Sequence, residues 1–425
     1  MEQPRFERPE APYDVIVMGA GYAGLMAALR LGAKKHDLRV ALINPRDDFV
    51  ERIRLQESIV AEVAPRIASM SKFLLGTNVE FMRAHVLSFD AAKKRMSILS
   101  DAGERDIFFS QAICTLGSRV DTSSTPGVAD FAYWLDPGDG PRAVAALRAR
   151  LNRTSQSALR IVAIGGGATA IEAAGEIKTA WPKLEVTLVS RTRAGDFKNE
   201  IVEKALREEL TRLGIRLVDN EDVTSVTQTS VLTRSGRTIA SDICVWAGGM
   251  LASSVAADAG LAVDAQGRIW VDGNLRSISH PHILAAGDAA HPVGSTGAPY
   301  RMAAYTAIAS GAHTADVILK SRTARSGVRP FAFSTLAQAI AVGRLGVLFP
   351  LDGNDRQALF VLKGRLARQT RDFFIWLTLY FLRFERALPG LLDWPGRHRV
   401  SRDESERAGK VAITDPEVKA GAAWF

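Results

Sequence analysis

Twice in this sequence an apolar, strand-like run stops on closely spaced glycines and passes into a helix-forming stretch. In the first copy Val15, Ile16, Val17 and Met18 lead into Gly19, Gly21 and Gly24, with a helical pattern over 25–31. In the second, Ile161, Val162, Ala163 and Ile164 lead into Gly165, Gly166 and Gly167, then Ala168, Thr169, Ala170 and a helical pattern over 171–179. A G-x-G-x-x-G/A match carries meaning only between a strand and a helix, and both copies meet that condition. Gly19 and Gly165 are expected to make the tight turn, Gly21 and Gly167 to let backbone N–H groups approach a pyrophosphate, and Gly24 and Ala170 to let helix pack on strand. The anion then rests on the positive end of the helix, with Thr169 in the second such turn. One match is weak; two in a single chain predict two dinucleotides.

A third segment separates the two roles. The short apolar run Ile283, Leu284, Ala285, Ala286 ends on Gly287 and Asp288. Together with Thr115, Leu116, Gly117, Ser118 and with Trp246, Ala247, Gly248, Gly249, it resembles the pattern of the pyridine nucleotide–flavin oxidoreductases, flavoproteins with two dinucleotide-binding domains. Within them the chain is most similar to type II NADH dehydrogenases and their apoptosis-inducing-factor-like relatives, over roughly residues 12–350. The resemblance implies FAD on the first fingerprint and NAD(P)H as co-substrate on the second. It places Gly287 and Asp288 at the ribityl chain, where a carboxylate accepts hydrogen bonds from hydroxyls. Gly117 and Gly248 join the cofactor-binding candidates.

The fold class expected is α/β, with two Rossmann-like dinucleotide-binding domains, the second inserted in the first, and a C-terminal domain with an amphipathic helix. The FAD-binding domain would comprise residues 1–120 and 250–325, the NAD(P)H-binding domain 121–249, and the C-terminal domain 326–425. A linker is expected at 321–330, an exposed turn at 136–141 before a helix over 142–151, and a poorly ordered end from 400 onward. With 47% hydrophobic and 24% charged residues the chain has the make-up of a globular protein. Residues 1–12 are polar, with no apolar signal region and no twin arginine, which leads to the expectation of a cytoplasmic protein, peripheral on the inner face of the cell membrane if it meets one.

Only two cysteines occur, Cys114 and Cys244, each within an apolar run, and residues 44–52 after the second strand contain none. Disulfide reductases of this superfamily relay electrons through cysteine beside the flavin, so a thiol relay is excluded here. Electrons leave the flavin directly to a bound acceptor.

Three departures from the family pattern bear on the site. Where such proteins place an acid on the adenosine ribose, the first copy has Asn44, which can still hydrogen-bond a ribose. The second copy has Ser190 followed by Arg191 and Arg193, and arginines in place of an acid favour a 2′-phosphate, hence NADPH over NADH. The alternative is that both arginines only face water. Type II NADH dehydrogenases also resemble one another in an Ala-Gln-x-Ala-x-Gln-x-Gly helix at the quinone site; alignment on Gly311 puts Tyr305 and Ala309 at the glutamine positions. Arg301 and Met302, placed in the first turn of that helix, are expected beside the flavin pyrimidine, and Arg301 and Tyr305 are counted as candidate catalytic residues. So is Glu172, where the family carries a glutamate beside the nicotinamide, its other reading being a helix-start acid that satisfies the dipole. No metal is expected.

The net charge of +8 belongs to one segment. Residues 356–402 hold ten Lys and Arg against three acids, leaving +1 for the rest of the chain. Within it, residues 373–382 are an aromatic-rich run of ten, half of what a spanning helix needs. It can lie in a bilayer interface with arginines on anionic lipid; a core helix or a homodimer contact are the alternatives. Pro389 and Gly390 should end the helix. The aromatics form one block without basic residues between them, so nucleic acid is not expected.

These features predict an FAD-dependent oxidoreductase that passes hydride from NAD(P)H to flavin and electrons on to a quinone or comparable small acceptor. Two rivals stay open: a tailoring oxidoreductase of a biosynthetic pathway, favoured by the missing glutamines, and a nucleotide-regulated flavoprotein with a partner-binding role.

Overall fold

The computed structural model describes residues 11–61, 66–136, 140, 142–154, 159–292, 300–322, 328–333, 335, 337–351 and 360–392. The strands Val79–Asp90, Val40–Asn44, Tyr13–Met18, Gly103–Cys114 and Ile283–Ala285 lie side by side in that order, all parallel. Val15, Ile16, Val17 and Met18 are buried on both faces of the sheet, as a covered parallel strand requires. The two long strands Val79–Asp90 and Gly103–Cys114 run past this core and sandwich Arg95–Ser100 in an antiparallel meander.

A second sheet repeats the plan. Arg216–Val218, Glu185–Val189, Arg160–Ile164, Ile243–Trp246 and Ala132–Trp134 are again parallel in that order. A meander of Val223–Val226, Ser230–Thr233 and Thr238–Ala240 sits between the fourth and fifth strands in sequence. The chain leaves the first unit through Ser118–Val120 and comes back through Met250–Ala252, and these two segments pair antiparallel.

Helices cover the sheets through their apolar faces. All ten residues of Tyr22–Leu31 are buried, and Ala304–Ser321 lies against that helix. The contact is so close at Gly311 that a Cβ there would stand 2.2 Å from the Ala23 carbonyl oxygen, so only glycine fits. Helix Ala168–Ala180 opens on the second glycine turn. Glu200–Arg212 is capped by Asn199, whose side-chain oxygen accepts from the Ile201 and Val202 N–H groups.

The C-terminal part ties into both units. The hairpin Ala337–Val342 and Leu345–Pro350 sends Ile340, Val342, Val347 and Phe349 into the core of the second, with Ile171, Ile177 and Leu206. Helix Arg365–Ala387 sends Leu379 and Leu382 into the core of the first, with Leu25, Leu29 and Ile318. Buried ion pairs fix this helix at both ends: Arg371 Nε to Glu172 Oε1 at 2.7 Å, and Arg30 Nε to Glu385 Oε1 at 2.7 Å. It ends at Ala387, just before Pro389 and Gly390, as expected.

The aromatic run has two faces. Ile375, Leu379 and Leu382 point inward, while Phe373, Trp376 and Tyr380 are about half exposed and stack with Phe384 in a continuous ladder. The basic block is divided as well. Arg356, Arg397, Arg399 and Arg402 fall outside the described residues, as do 323–327 of the expected linker, most of the expected turn at 136–141, and everything from 393 onward. Of the remaining six, Lys363, Arg368 and Arg371 pair with acids of the protein and Arg386 donates to the Lys72 carbonyl.

Candidate functional site

Three loops converge at the carboxyl ends of strands Tyr13–Met18, Gly103–Cys114 and Ile283–Ala285, where open α/β sheets bind ligands. The first is the glycine turn. Gly19 has φ +95°, and a Cβ there would meet the Thr115 carbonyl oxygen at 2.6 Å; at Gly24 it would stand 1.8 Å from the Gly19 carbonyl oxygen. Protein packing alone therefore demands those two glycines. Gly21 is different, because a Cβ there would meet nothing within 4 Å. It is the N-cap of Tyr22–Leu31, with no side-chain cap and no acid in the first turn, so the helix presents uncapped N–H groups at an open slot. That combination fits a pyrophosphate.

The second and third loops brace each other beside this turn. Thr115 Oγ1 donates to the Met18 and Gly19 carbonyls at 2.8 and 2.9 Å. Gly117 takes φ +71°. Ser118 Oγ donates to Asp288 Oδ2 at 2.6 Å, and the Gly287 N–H donates to Ser310 Oγ at 2.9 Å. The half-buried Asp288 is thus aimed from the loop by Ser118, a role that no local pattern in the sequence signals. Asn44 stands at the end of its strand beside the turn, its Oδ1 accepting from the Ala20 N–H at 3.1 Å and its Nδ2 donating to the Arg46 carbonyl at 2.6 Å.

Arg301 and Met302 lie ahead of helix Ala304–Ser321, whose N-cap is Ala303, and not in its first turn as expected. Arg301 is exposed and donates to Gln338 Oε1 at 2.8 Å; Met302 is half-buried. Tyr305 is in the first turn. Its hydroxyl donates to the Phe374 carbonyl of the C-terminal helix at 2.6 Å, and burial pushes its pKa well up.

The second turn has the same grammar. Gly165 has φ +134°, with its would-be Cβ 2.9 Å from the Ala247 carbonyl oxygen, while Gly167 has nothing within 4 Å and caps Ala168–Ala180 without a side-chain cap. Gly167 and Thr169 are exposed. Ser190 is buried, with Oγ packed where a Cβ of Gly166 would stand. Arg191 is exposed and pairs with no acid among the described residues; Arg193 is also exposed but is held by Glu203, which raises its pKa. Gly248 lies against the Trp246 ring, whose Nε1 donates to the Asp121 carbonyl at 2.9 Å.

Glu172 is the fifth residue of its helix, buried, and past the first turn, so the helix-start reading does not hold. Its Oε1 accepts from Arg371 Nε at 2.7 Å and the Ala341 N–H at 2.9 Å; its Oε2 accepts from Gln56 Nε2 at 2.6 Å and Arg371 Nη2 at 3.1 Å. Four hydrogen bonds fill the capacity of a carboxylate. Burial opposes charge on Arg371, yet Glu172 and Glu57 together raise its pKa. Nothing in the sequence signalled this network, because Glu172 and Arg371 are 199 residues apart. Cys114 and Cys244 are buried free thiols pushed up to about 11 and about 12 by burial, so neither is a thiolate near neutral pH.

The chain belongs to the pyridine nucleotide-disulphide oxidoreductase family, which it matches over residues 13–311. It is 27% identical over 302 residues to an NADH dehydrogenase-like protein of Mycobacterium tuberculosis, covering 65% of this chain and 72% of that protein. A demethylphylloquinone reductase of Synechocystis is 22% identical over 349 residues, with 79% and 85% covered. The sulfide:quinone oxidoreductase of Aquifex aeolicus shares the fold, with a TM-score of 0.74, 16% identity and 89% and 93% of the two chains covered.

Proposed function

We propose that this member of the pyridine nucleotide-disulphide oxidoreductase family holds FAD on the Gly19–Gly24 turn, takes reducing equivalents from NAD(P)H on the Gly165–Gly167 turn, and passes them to a quinone or similar small acceptor. The observation that carries this reading is the pair of uncapped helix starts, each opening on a glycine with free space beside it, the first set against Asp288. Bound there, FAD supplies the two-electron relay between nicotinamide and acceptor. Asp288 would fix the ribityl hydroxyls, with Ser118 and Gly117 holding the loop, and Asn44 keeps one donor and one acceptor position for a ribose. Met302 and Arg301, just ahead of helix Ala304–Ser321, and Tyr305 in its first turn would frame the flavin ring. Glu172 would act by position, anchoring the C-terminal helix to the nucleotide helix through Arg371. Gly248, Thr169 and Ser190 would line the nicotinamide nucleotide.

The demethylphylloquinone reductase among the relatives supports a quinone as acceptor. The two buried, protonated cysteines speak against a thiol relay. Purified protein should be yellow, carry FAD and oxidise NAD(P)H with short-chain quinones; a colourless protein that takes up no FAD would overturn the reading. NADPH is favoured over NADH through Arg191, since Arg193 is shared with Glu203.

No helix among the described residues is long and apolar enough to cross a membrane. The exposed Phe373, Trp376 and Tyr380 of the ladder, with the exposed Arg383 and Arg365 on the same helix, support contact with an anionic membrane surface. Trp376→Asp should leave the melting temperature close to that of the wild type, since the side chain is half exposed, and should abolish sedimentation with anionic vesicles. Wild-type protein that ignores such vesicles at low salt would end this part of the proposal.

A further inference from the structure

An open cleft of about 580 Å³ is walled by the ends of four elements. Lys178 comes from the last turn of Ala168–Ala180 and Arg212 from the end of Glu200–Arg212. Arg344 comes from the turn between the strands Ala337–Val342 and Leu345–Pro350, and Arg365 from the start of Arg365–Ala387. No acid is among the described residues that line it. Arg344 and Arg365 are exposed and form no hydrogen bond or ion pair among the described residues. Lys178 Nζ donates to the Pro182 and Leu184 carbonyls at 2.9 and 2.7 Å, which pins the ammonium group and leaves it one N–H to give. Arg212 differs, since Glu209 holds it through Nε and Nη2.

The neighbouring cations of the C-terminal helix are compensated. Arg368 and Arg371 pair with Glu176, Glu57 and Glu172, so their charge is directed inward. Three uncompensated cations around one opening repel one another, and a compact anion relieves all three at once. Phosphate has the matching chemistry: guanidinium forks engage its oxygens in pairs, and an ammonium adds a point charge. A phosphomonoester carries close to two negative charges near neutral pH, about one more than a diester, and suits this set best.

The place of the cleft in the fold bears on where the phosphate comes from. Arg365 lies on the exposed stripe of its helix: Trp376 and Arg383 follow it by about three and about five turns, and Phe373 stands about 12 Å further along the axis. Asp372, the acid on that stripe, is paired with Arg368 and Arg371. A surface that receives Phe373, Trp376 and Tyr380 therefore brings its own phosphates toward Arg365.

We propose that this cleft is a phosphate-binding site and that its ligand is the headgroup phosphate of an anionic lipid, a monoester before a diester. The lipid source rests on the membrane contact proposed above; the phosphate site does not.

The test uses the full chain loaded with FAD and the variants Arg344→Ala, Arg365→Ala and Arg383→Ala, all at exposed side chains. Phosphatidylcholine vesicles containing phosphatidic acid should be bound about tenfold more tightly than vesicles given the same surface charge by phosphatidylglycerol. Arg344→Ala and Arg365→Ala should each remove most of that preference, whereas Arg383→Ala, on the same stripe and outside the cleft, should weaken binding to both kinds of vesicle alike. Free glycerol 3-phosphate, followed by calorimetry, should bind wild type and lose about tenfold in affinity in either cleft variant. A phosphate resting on the Gly165–Gly167 turn would not respond to those substitutions. Glycerol 3-phosphate that fails to bind, or binds equally well to wild type and both cleft variants, would overturn the site. If its binding does depend on Arg344 and Arg365 while wild type ignores vesicles or shows no preference between the two lipids, the lipid source falls and the cleft stands as a site for a soluble phosphate.

Discussion

The two glycine turns have nearly the same local geometry and very different cover. Each has a packed glycine at its start, an open one in the middle and an uncapped helix behind it. The first helix is buried along its whole length beneath Ala304–Ser321 and Arg365–Ala387, and its Arg30 is locked to Glu385 and Asp316. The second helix begins exposed at Thr169, and from Ala170 onward it is covered by its own sheet and the 337–350 hairpin. The turn determines what kind of group can rest there, and the cover determines how easily it leaves. On this account the first site retains a cofactor through many turnovers, and the second exchanges a co-substrate in each.

Substitutions at matching glycines should break the symmetry most sharply. Gly24→Ala forces a Cβ against backbone and should cost about 3 kcal/mol or more, with loss of FAD; Gly167→Ala, in open space, should change stability by no more than about 0.5 kcal/mol while raising KM for the nicotinamide nucleotide. Thermal melts and flavin content separate the two. Glu385→Ala, which strips Arg30 of its main partner inside the cover of the first helix, should cost about 3 kcal/mol and speed FAD loss, with little change in that KM. Asp288→Ala should weaken FAD by about 1–3 kcal/mol and leave the second site intact. Arg191→Glu should do the reverse, lowering kcat/KM for NADPH by about 1.5–3 kcal/mol more than for NADH; equal losses would remove Arg191 from a 2′-phosphate site.

The smallest effect is a pH dependence. A glutamate in the unfolded chain releases its proton near 4.5, whereas native Glu51 holds its proton up to about 7. Between those values the native state binds the extra proton, so stability falls as pH rises through that window and stays lower above it. Glu51→Gln removes the loss and should gain on the order of 1–2 kcal/mol over wild type at a pH of about 8, with no such gain at a pH of about 4.

The parts of the fold written in consecutive residues were legible in the sequence. Gly19, Gly21 and Gly24 follow their strand directly, as Gly165 and Gly167 follow theirs, and each turn leads into the helix that the pattern predicts. Contacts between distant residues were not legible. Arg30 and Glu385 are 355 residues apart, and neither residue looks unusual in its local sequence. The aromatic run was an intermediate case. Read as one block it suggested a single surface, but a helical period separates Phe373, Trp376 and Tyr380 from Ile375, Leu379 and Leu382, and that signal was present in the residues. The basic block misled for a different reason: Arg368 and Arg371 face the protein's own carboxylates, which charge counting cannot reveal.

The most direct test of the difference between the two sites is an anaerobic titration of purified protein with NADPH, followed by gel filtration. The account predicts that FAD stays with the chain at one per molecule, that one equivalent of NADPH bleaches it, and that the nicotinamide nucleotide is removed by the column while the flavin is not. Retention of both nucleotides, or loss of the flavin before the nicotinamide, would contradict it.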